Sequence, residues 1–475
     1  MNIIQNREYL ETLFKKKNKH DTGLARDVLP FLTKRTGGIK NQFSNVVGEY
    51  VRNICNLKLE YSKHTEDTEL NFVFKENMFS QNIAKYIEFE SEDDRYDFIR
   101  FLDSYLFQGE KIKPIHPFLF NYLQISKKNL KNEFQKYGKF LYDVFAYQDQ
   151  DIKSIFNNKL AEDILTELIL NKLGGLLETK DTIGQEYEPL FPSLIKLYKE
   201  DLIYLSKNKD YFINSFPFLT HYYVFMYVCQ AIRKFDQFTN ANYDVIEPFY
   251  FALEWESISK RRKAAGFDGL KYLRERSKSL FPHIQTISQI SHLIYDGNLF
   301  EVKLSIPFFT YEKALEIIQS KGTDFETSFL NEINKWTKFY SNFWASSRKL
   351  NNTSVSTSLD ESFYNLYKKV EKGVNEEVAE KFGKNFDDLG YNQFIKSRGS
   401  LGQVLNIKYD FLILLTAVSV KNKRIPLNQL FNEFERRGIS FDRYSKKEII
   451  NVLDKLNIID KKSDSGDAQY VKPIL

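Results

Sequence analysis

Apolar residues recur three and four positions apart through most of the chain, the spacing of one face of an α-helix. Ile155, Phe156, Leu160, Ile164, Leu165, Leu168, Ile169 and Leu173 form one such stripe, which Gly174-Gly175 stops. Leu194, Ile195, Leu197, Tyr198, Leu202 and Leu205 form a second. A third lies within 325–344, with Phe329, Ile333, Trp336, Phe339, Tyr340 and Phe343 on one face, and Phe363, Leu366, Tyr367, Val370 and Val374 open a fourth. Such stripes face a core rather than a cofactor. The pattern predicts a mainly α, multi-helical protein.

Period-two alternation is rare. Residues 53–61 and 69–74 alternate around a polar turn and predict a β-hairpin; 299–306 predict a further strand. Residues 346–358 are polar with small or β-branched side chains and read as a mobile loop. Residues 384–402, with Gly390, Gly399 and Gly402 and no long apolar stripe, read as a linker. A boundary near Ser397 then divides the chain into a mostly helical body, 1–397, with room for two subdomains, and a second domain, 398–475.

The second domain has the clearest plan. A buried helix is expected over 410–420. Another starts at Pro426, carries Leu427, Leu430, Phe431 and Phe434, and ends at Gly438. A third is expected from Ser445, with Glu448 completing a capping box. Its inner face is Ile449, Val452, Leu453 and Leu456; its outer face is Lys446, Lys447, Asn451 and Lys455. Residues 458–462 and 468–472 flank the turn Asp464-Ser465-Gly466-Asp467 and predict a hairpin. Three helices and a hairpin make the winged helix-turn-helix plan, whose third helix enters the major groove while the wing meets phosphate.

Charge sharpens that expectation. The 475 residues carry 68 Lys+Arg against 63 Asp+Glu, a net +5. Residues 398–475 hold 14 basic and 9 acidic side chains, so the body is neutral and the whole excess lies on the C-terminal segment. A basic module on a neutral body is an electrostatic footprint for nucleic acid. The candidate contacts are Arg436, Arg437, Arg443, Lys446, Lys447, Asn451, Lys455, Lys461 and Lys462. Many winged helices dock proteins instead, and Asp464 and Asp467 at the wing tip would repel phosphate, so protein docking stays open beside DNA contact.

The C-terminal residues also carry a family likeness. The run 434–442, Phe-Glu-Arg-Arg-Gly-Ile-Ser-Phe-Asp, followed by 463–471, Ser-Asp-Ser-Gly-Asp-Ala-Gln-Tyr-Val, resembles the DptG family of bacterial DNA phosphorothioation-dependent restriction proteins. The likeness covers about the last 75 residues. It implies a subunit of an antiviral defence system that restricts DNA lacking a phosphorothioate mark. It also implies partner subunits of the DptF and DptH type, which carry nucleotide-hydrolysing and helicase-like parts. No catalytic residue comes with it.

Composition bounds the alternatives. With 42% hydrophobic and 28% charged residues the chain is folded rather than disordered. Phe 42 and Tyr 29 are abundant, but without basic–aromatic alternation they read as core filling, not stacking platforms. Two cysteines, Cys55 and Cys229, fit a reducing compartment. Residues 1–8 lack the apolar core of a signal peptide, and the longest apolar run, 411–420, is about half a bilayer crossing. A soluble cytoplasmic protein with no membrane contact is expected.

A search for chemistry yields little. No phosphate-binding Gly-x-x-x-x-Gly-Lys-Ser/Thr loop, nucleophile elbow or metal-spaced histidine pair is present. Asp296, Glu301 and Lys303 fit an acidic residue plus Glu-x-Lys, the set a Mg²⁺-dependent nuclease places on adjacent strands. The same pattern recurs at Asp151, Glu178 and Asp460, so it discriminates poorly. The chain reads as non-catalytic and cofactor-free. The alternatives are this nuclease site and a winged-helix transcription regulator. Basic runs at 15–40 and 260–278 could track a DNA backbone, and the acidic stretch 88–94 could meet a basic partner.

Overall fold

Two helices with no polar face carry the core. Lys209–Asp236 is capped by the Asn208 side chain, which accepts from the Tyr211 N–H at 3.1 Å. Every residue from Leu219 to Ile232 on it is buried. Leu280–Ile294 is buried along its whole length. A helix buried on every side has to be surrounded, and shorter amphipathic helices do the surrounding. The computed structural model describes residues 3–59, 76–108, 111–124, 130–179, 184–345, 350, 355–461 and 469–475. The chain is mainly α-helical with a few small sheets. Among the described residues no helix is long and apolar enough to cross a membrane.

Aromatic side chains fill this core. Phe225 packs on Phe386 and Phe394 with centroids 5.3 and 4.9 Å apart, and Tyr222 packs on Phe411 at 4.8 Å. Such pairs add to the area they bury. Elsewhere helices approach closely through glycine: a Cβ on Gly138 would lie 2.6 Å from that of Glu49, so only glycine lets Lys131–Phe145 press onto Ser44–Cys55. A smaller cluster around Leu102, Leu106, Phe118 and Ile169 forms its own apolar centre beside the main one.

Three expected helices appear, as Pro192–Ser206, Thr323–Trp344 and Leu359–Gly373. The stripe at 155–173 is corrected: it divides into Gln150–Asn157 and Ile164–Lys172. Asn158 accepts from the Leu160 N–H at 2.8 Å, turning the chain, and Asp163 then caps the second helix, leaving Leu160 and Ile164 on the surface.

The strands differ more. Leu57–Leu59 pairs antiparallel with Leu176–Glu178; the expected hairpin partner, 69–74, lies outside the described residues. Residues 299–305 form no strand. Asn298 accepts from the Phe300 N–H at 3.1 Å and bends the chain, and only Ile306 makes a bridge, to Ala25. Most of the loop expected at 346–358 lies outside the described residues, but Ser356 is buried and exchanges two 3.0 Å hydrogen bonds with Asn334.

The segment read as a linker is ordered structure. Its first part belongs to the helix Glu376–Gly390. Strands Ile395–Ser397 and Gln403–Ile407 then pair, Ser397 opposite Gln403, so residue 397 lies inside a β-hairpin. Gln403–Ile407 also pairs in parallel with Ala252–Leu253. One apolar core continues across residue 397, taking in Phe394 and Leu389 on one side and Phe411, Leu415 and Phe434 on the other.

Candidate nucleic-acid interface

After Lys408 the chain forms the helices Tyr409–Val420, Leu427–Arg436 and Arg443–Lys455. Leu430, Phe431 and Phe434 bury one face of the middle helix. Gly438 follows at φ +89°, against Met226 of the long core helix. Strands Ile459–Lys461, Gln469–Val471 and Ile425–Pro426 close a small antiparallel sheet in which Tyr470 is paired with both Asp460 and Pro426. The turn 464–467 between the first two lies outside the described residues.

The start of the third helix corrects the expected capping box. Asp442, not Ser445, is the cap: its carboxylate accepts from the Tyr444 and Ser445 N–H groups at 3.0 and 3.1 Å. Burial opposes the Asp442 charge, but the Arg262 guanidinium and these two N–H groups override it and hold the carboxyl below its usual range. Ser445, Ile449 and Leu453, four apart, are buried. Of the expected inner face, Val452 is half-buried and Leu456 exposed.

The outward side of this helix carries Arg443, Tyr444, Lys447, Asn451 and Lys455, all exposed. Twelve residues at ~1.5 Å each spread this row over roughly 18 Å. The Arg443 guanidinium lies over the Tyr444 ring at 4.6 Å and donates to its hydroxyl at 2.7 Å. Among the described residues no carboxylate pairs with Lys447 or Lys455. Lys446 leans back, 3.9 Å from Glu435 and over the Phe431 ring. Arg436 is exposed and tied to Glu433 at 2.7 Å. Lys461 is a strand residue, and Lys462 lies outside the described residues.

Arg437 is corrected. It is 1% exposed and makes a bidentate pair with Asp201 at 2.7 and 2.8 Å, plus a 2.9 Å contact with Glu433. Its charge is spent inside the protein, so no phosphate can reach it.

The other charged runs divide sharply. In the 15–40 run, Lys17 pairs with Asp21, Arg26 with Glu188, and Arg35 and Lys40 with Asp388. In the 260–278 run, Arg274 pairs with Asp387 and Arg276 with Asp236. The acidic residues Glu92, Asp93 and Asp94 form the first turn of the helix Glu92–Leu106, where they complement its dipole.

The loop 255–263 was invisible as part of this face from sequence. Phe249–Tyr250 pairs in parallel with Ile439–Ser440, and this brings the loop against the third helix. Arg262 binds Asp442 there, and donates to Ser445 and Glu256 at 2.8 Å each. Lys260, Arg261 and Lys263 stay exposed around it.

The nuclease candidate does not assemble on strands. Asp296 lies 3.5 Å from Lys321, Glu301 accepts from Asn298 at 2.7 Å, and Lys303 is exposed on a loop. Among the described residues no three His, Cys, Asp or Glu side chains are placed to hold a metal ion. A cavity of about 1180 Å³ lies between Tyr211–Phe218, Lys408–Leu414 and Lys472–Ile474; its charged lining groups are Lys408, Asp410 and Lys472. Set against protein-family models and curated proteins, the chain matches none.

Proposed function

We propose that this chain is a non-catalytic DNA-contacting subunit of a bacterial phosphorothioation-dependent restriction system, using residues 398–475 as a winged helix-turn-helix unit. The observation that carries the reading is the row Arg443, Lys447, Asn451 and Lys455 on the outward side of the third helix. Two helices, a glycine turn, a third helix and a strand pair joined to Ile425–Pro426 are in the order this unit requires. The net +5 of the segment supports the same reading, since phosphate contact supplies most non-specific affinity. The defence context and DptF- and DptH-type partners rest on the likeness of 434–442 and 463–471 alone.

The test is binding of the full chain to a duplex across a salt series. Wild type binds with an affinity that falls steeply as salt rises. Lys447→Ala with Lys455→Ala removes two phosphate contacts and flattens the log–log slope by about 2. Absence of binding, or a slope that the double variant leaves unchanged, overturns DNA contact by this face. Co-purification with nucleotide-hydrolysing neighbours tests the defence context separately.

A further inference from the structure

We propose that the body loop 255–263 is a second phosphate-binding element, joined to the third helix as one composite DNA-backbone surface; this rests on the reading of that helix as the DNA-facing element. Arg262 is the joint. Its guanidinium binds Asp442 and Ser445 on the helix start and Glu256 in its own loop, while Glu256 accepts from Ser445 Oγ at 2.8 Å and from the Leu253 N–H at 2.7 Å. Glu256 is buried, so this polar knot is shielded from water. The strand pairings of 249–250 and 252–253 hold the loop from behind. It is therefore positioned relative to the helix before any ligand arrives, which lowers the cost of ordering on binding.

With Arg262 turned inward, its neighbours turn outward. Lys260, Arg261 and Lys263 are exposed, and Lys263 lies over the Tyr250 ring at 4.4 Å with its ammonium 2.9 Å from that hydroxyl. The face is continuous. Arg262 lies over the Tyr444 ring at 5.0 Å, and Tyr444 neighbours Lys447 one helical turn on. The acids closest to the joint, Glu256 and Asp442, share the single positive charge of Arg262, so the joint keeps a net charge of −1 that the three outward cations exceed. Asp268, which is exposed, and Asp442 are the carboxylates acting on Lys263.

Duplex geometry makes this location useful. A helix in a major groove ~12 Å wide has a phosphate row on either side. A rigid basic loop beside its first turn lies where one of those rows passes. The 15–40 run also has exposed cations, Lys16, Lys19 and Lys34 among them, but the 255–263 loop is the basic segment whose own arginine is bonded to the start of the third helix.

The experiment compares three full-length proteins on one duplex of arbitrary sequence, between 50 and 200 mM salt. Combined Lys260→Ala, Arg261→Ala and Lys263→Ala lowers the slope by about 2 to 3, roughly one per lost phosphate, additional to the change from Lys447→Ala with Lys455→Ala. These side chains are exposed, and unfolding midpoints equal to wild type confirm that the fold is kept. If the helix variant flattens the slope and the loop variant does not, the composite surface is overturned while DNA contact by the helix stands. If the loop variant alone acts, the composite is again overturned. If wild type does not bind, both readings fall.

Discussion

Arg437 and Asp201, 236 positions apart, meet as a fully buried bidentate ion pair. The Tyr223 hydroxyl donates to the same carboxylate at 2.6 Å, Lys421 lies 3.6 Å from it, and Tyr222 donates to the Arg437 carbonyl. Burial works against the guanidinium charge, and Asp201 overrides it. Removing either partner strands a charge in the core, at a cost of about 3–5 kcal/mol. Arg437→Ala and Asp201→Ala should therefore each lower the chemical unfolding midpoint sharply. The double variant Arg437→Met with Asp201→Leu should cost less than the sum of its parts. A loss under about 1 kcal/mol for Arg437→Ala would contradict this role.

Asp442 serves two elements at once, capping the third helix and receiving Arg262. Asp442→Ala should cost about 1 kcal/mol for the cap, plus the ion pair, and should loosen the 255–263 loop. Glu448, the partner required by the expected capping box, has no such duty. Glu448→Ala should be nearly neutral. Thermal unfolding of the two variants decides between the caps, and equal losses would favour Ser445.

Four buried histidines, His116, His221, His283 and His292, make stability depend on pH, because burial lowers the pKa of each. Burial pushes His221 and His292 down to about 4 and His283 to about 3. His221 is hydrogen-bonded to the Leu389 carbonyl at 2.7 Å and stacks on Phe43, so its ring is held neutral. An unfolded imidazole binds its proton near 6.5. Above that pH these groups have no effect. As pH falls from about 6.5 towards 4 the unfolded chain takes up protons that the native state refuses, and each histidine removes up to ~1.4 kcal/mol per pH unit. Glu133, whose carboxyl burial raises, acts with the opposite sign. The measurement is the urea midpoint at pH 7.5 and 5.0 for wild type and His221→Gln; the variant should show the smaller drop, and equal drops would remove His221 from the account.

Neither cysteine is poised to react. Burial pushes the Cys55 thiol up to about 12 and raises that of Cys229 well above its ordinary value. A disulfide reagent at pH 8 should label neither in the folded protein and both in denaturant. Rapid labelling of Cys229 without denaturant would mean that the long core helix opens locally.

Helices with a wet and a dry side were readable from spacing, as at 192–206, 323–344 and 359–373. The two helices at the centre were not, because their polar residues are buried too and so do not mark a solvent face. Strand partners were lost for another reason: Leu57–Leu59 meets Leu176–Glu178, and Phe249–Tyr250 meets Ile439–Ser440, across separations that no local pattern encodes. At the candidate interface, Lys447, Asn451 and Lys455 were legible from helical phase. Arg437 was misread as a nucleic-acid contact, although its position three after Phe434 and seven after Leu430 places it on the inner side. Arg262 was legible only as a member of the 260–278 run, since what distinguishes it from Arg261 is the carboxylate at 442.

The long core helix ends at Asp236, yet residues that cover it, such as Phe394, Phe411 and the Gly438 turn, come up to about 200 positions later. At ~5–20 residues per second, synthesis leaves Tyr222 and Met226 without their final neighbours for on the order of 10 to 40 seconds. During that interval the long helix lacks side chains that cover it in the finished core. Residues 394–438 thus complete the core, and full burial of the long helix waits on their arrival rather than on the formation of any single helix.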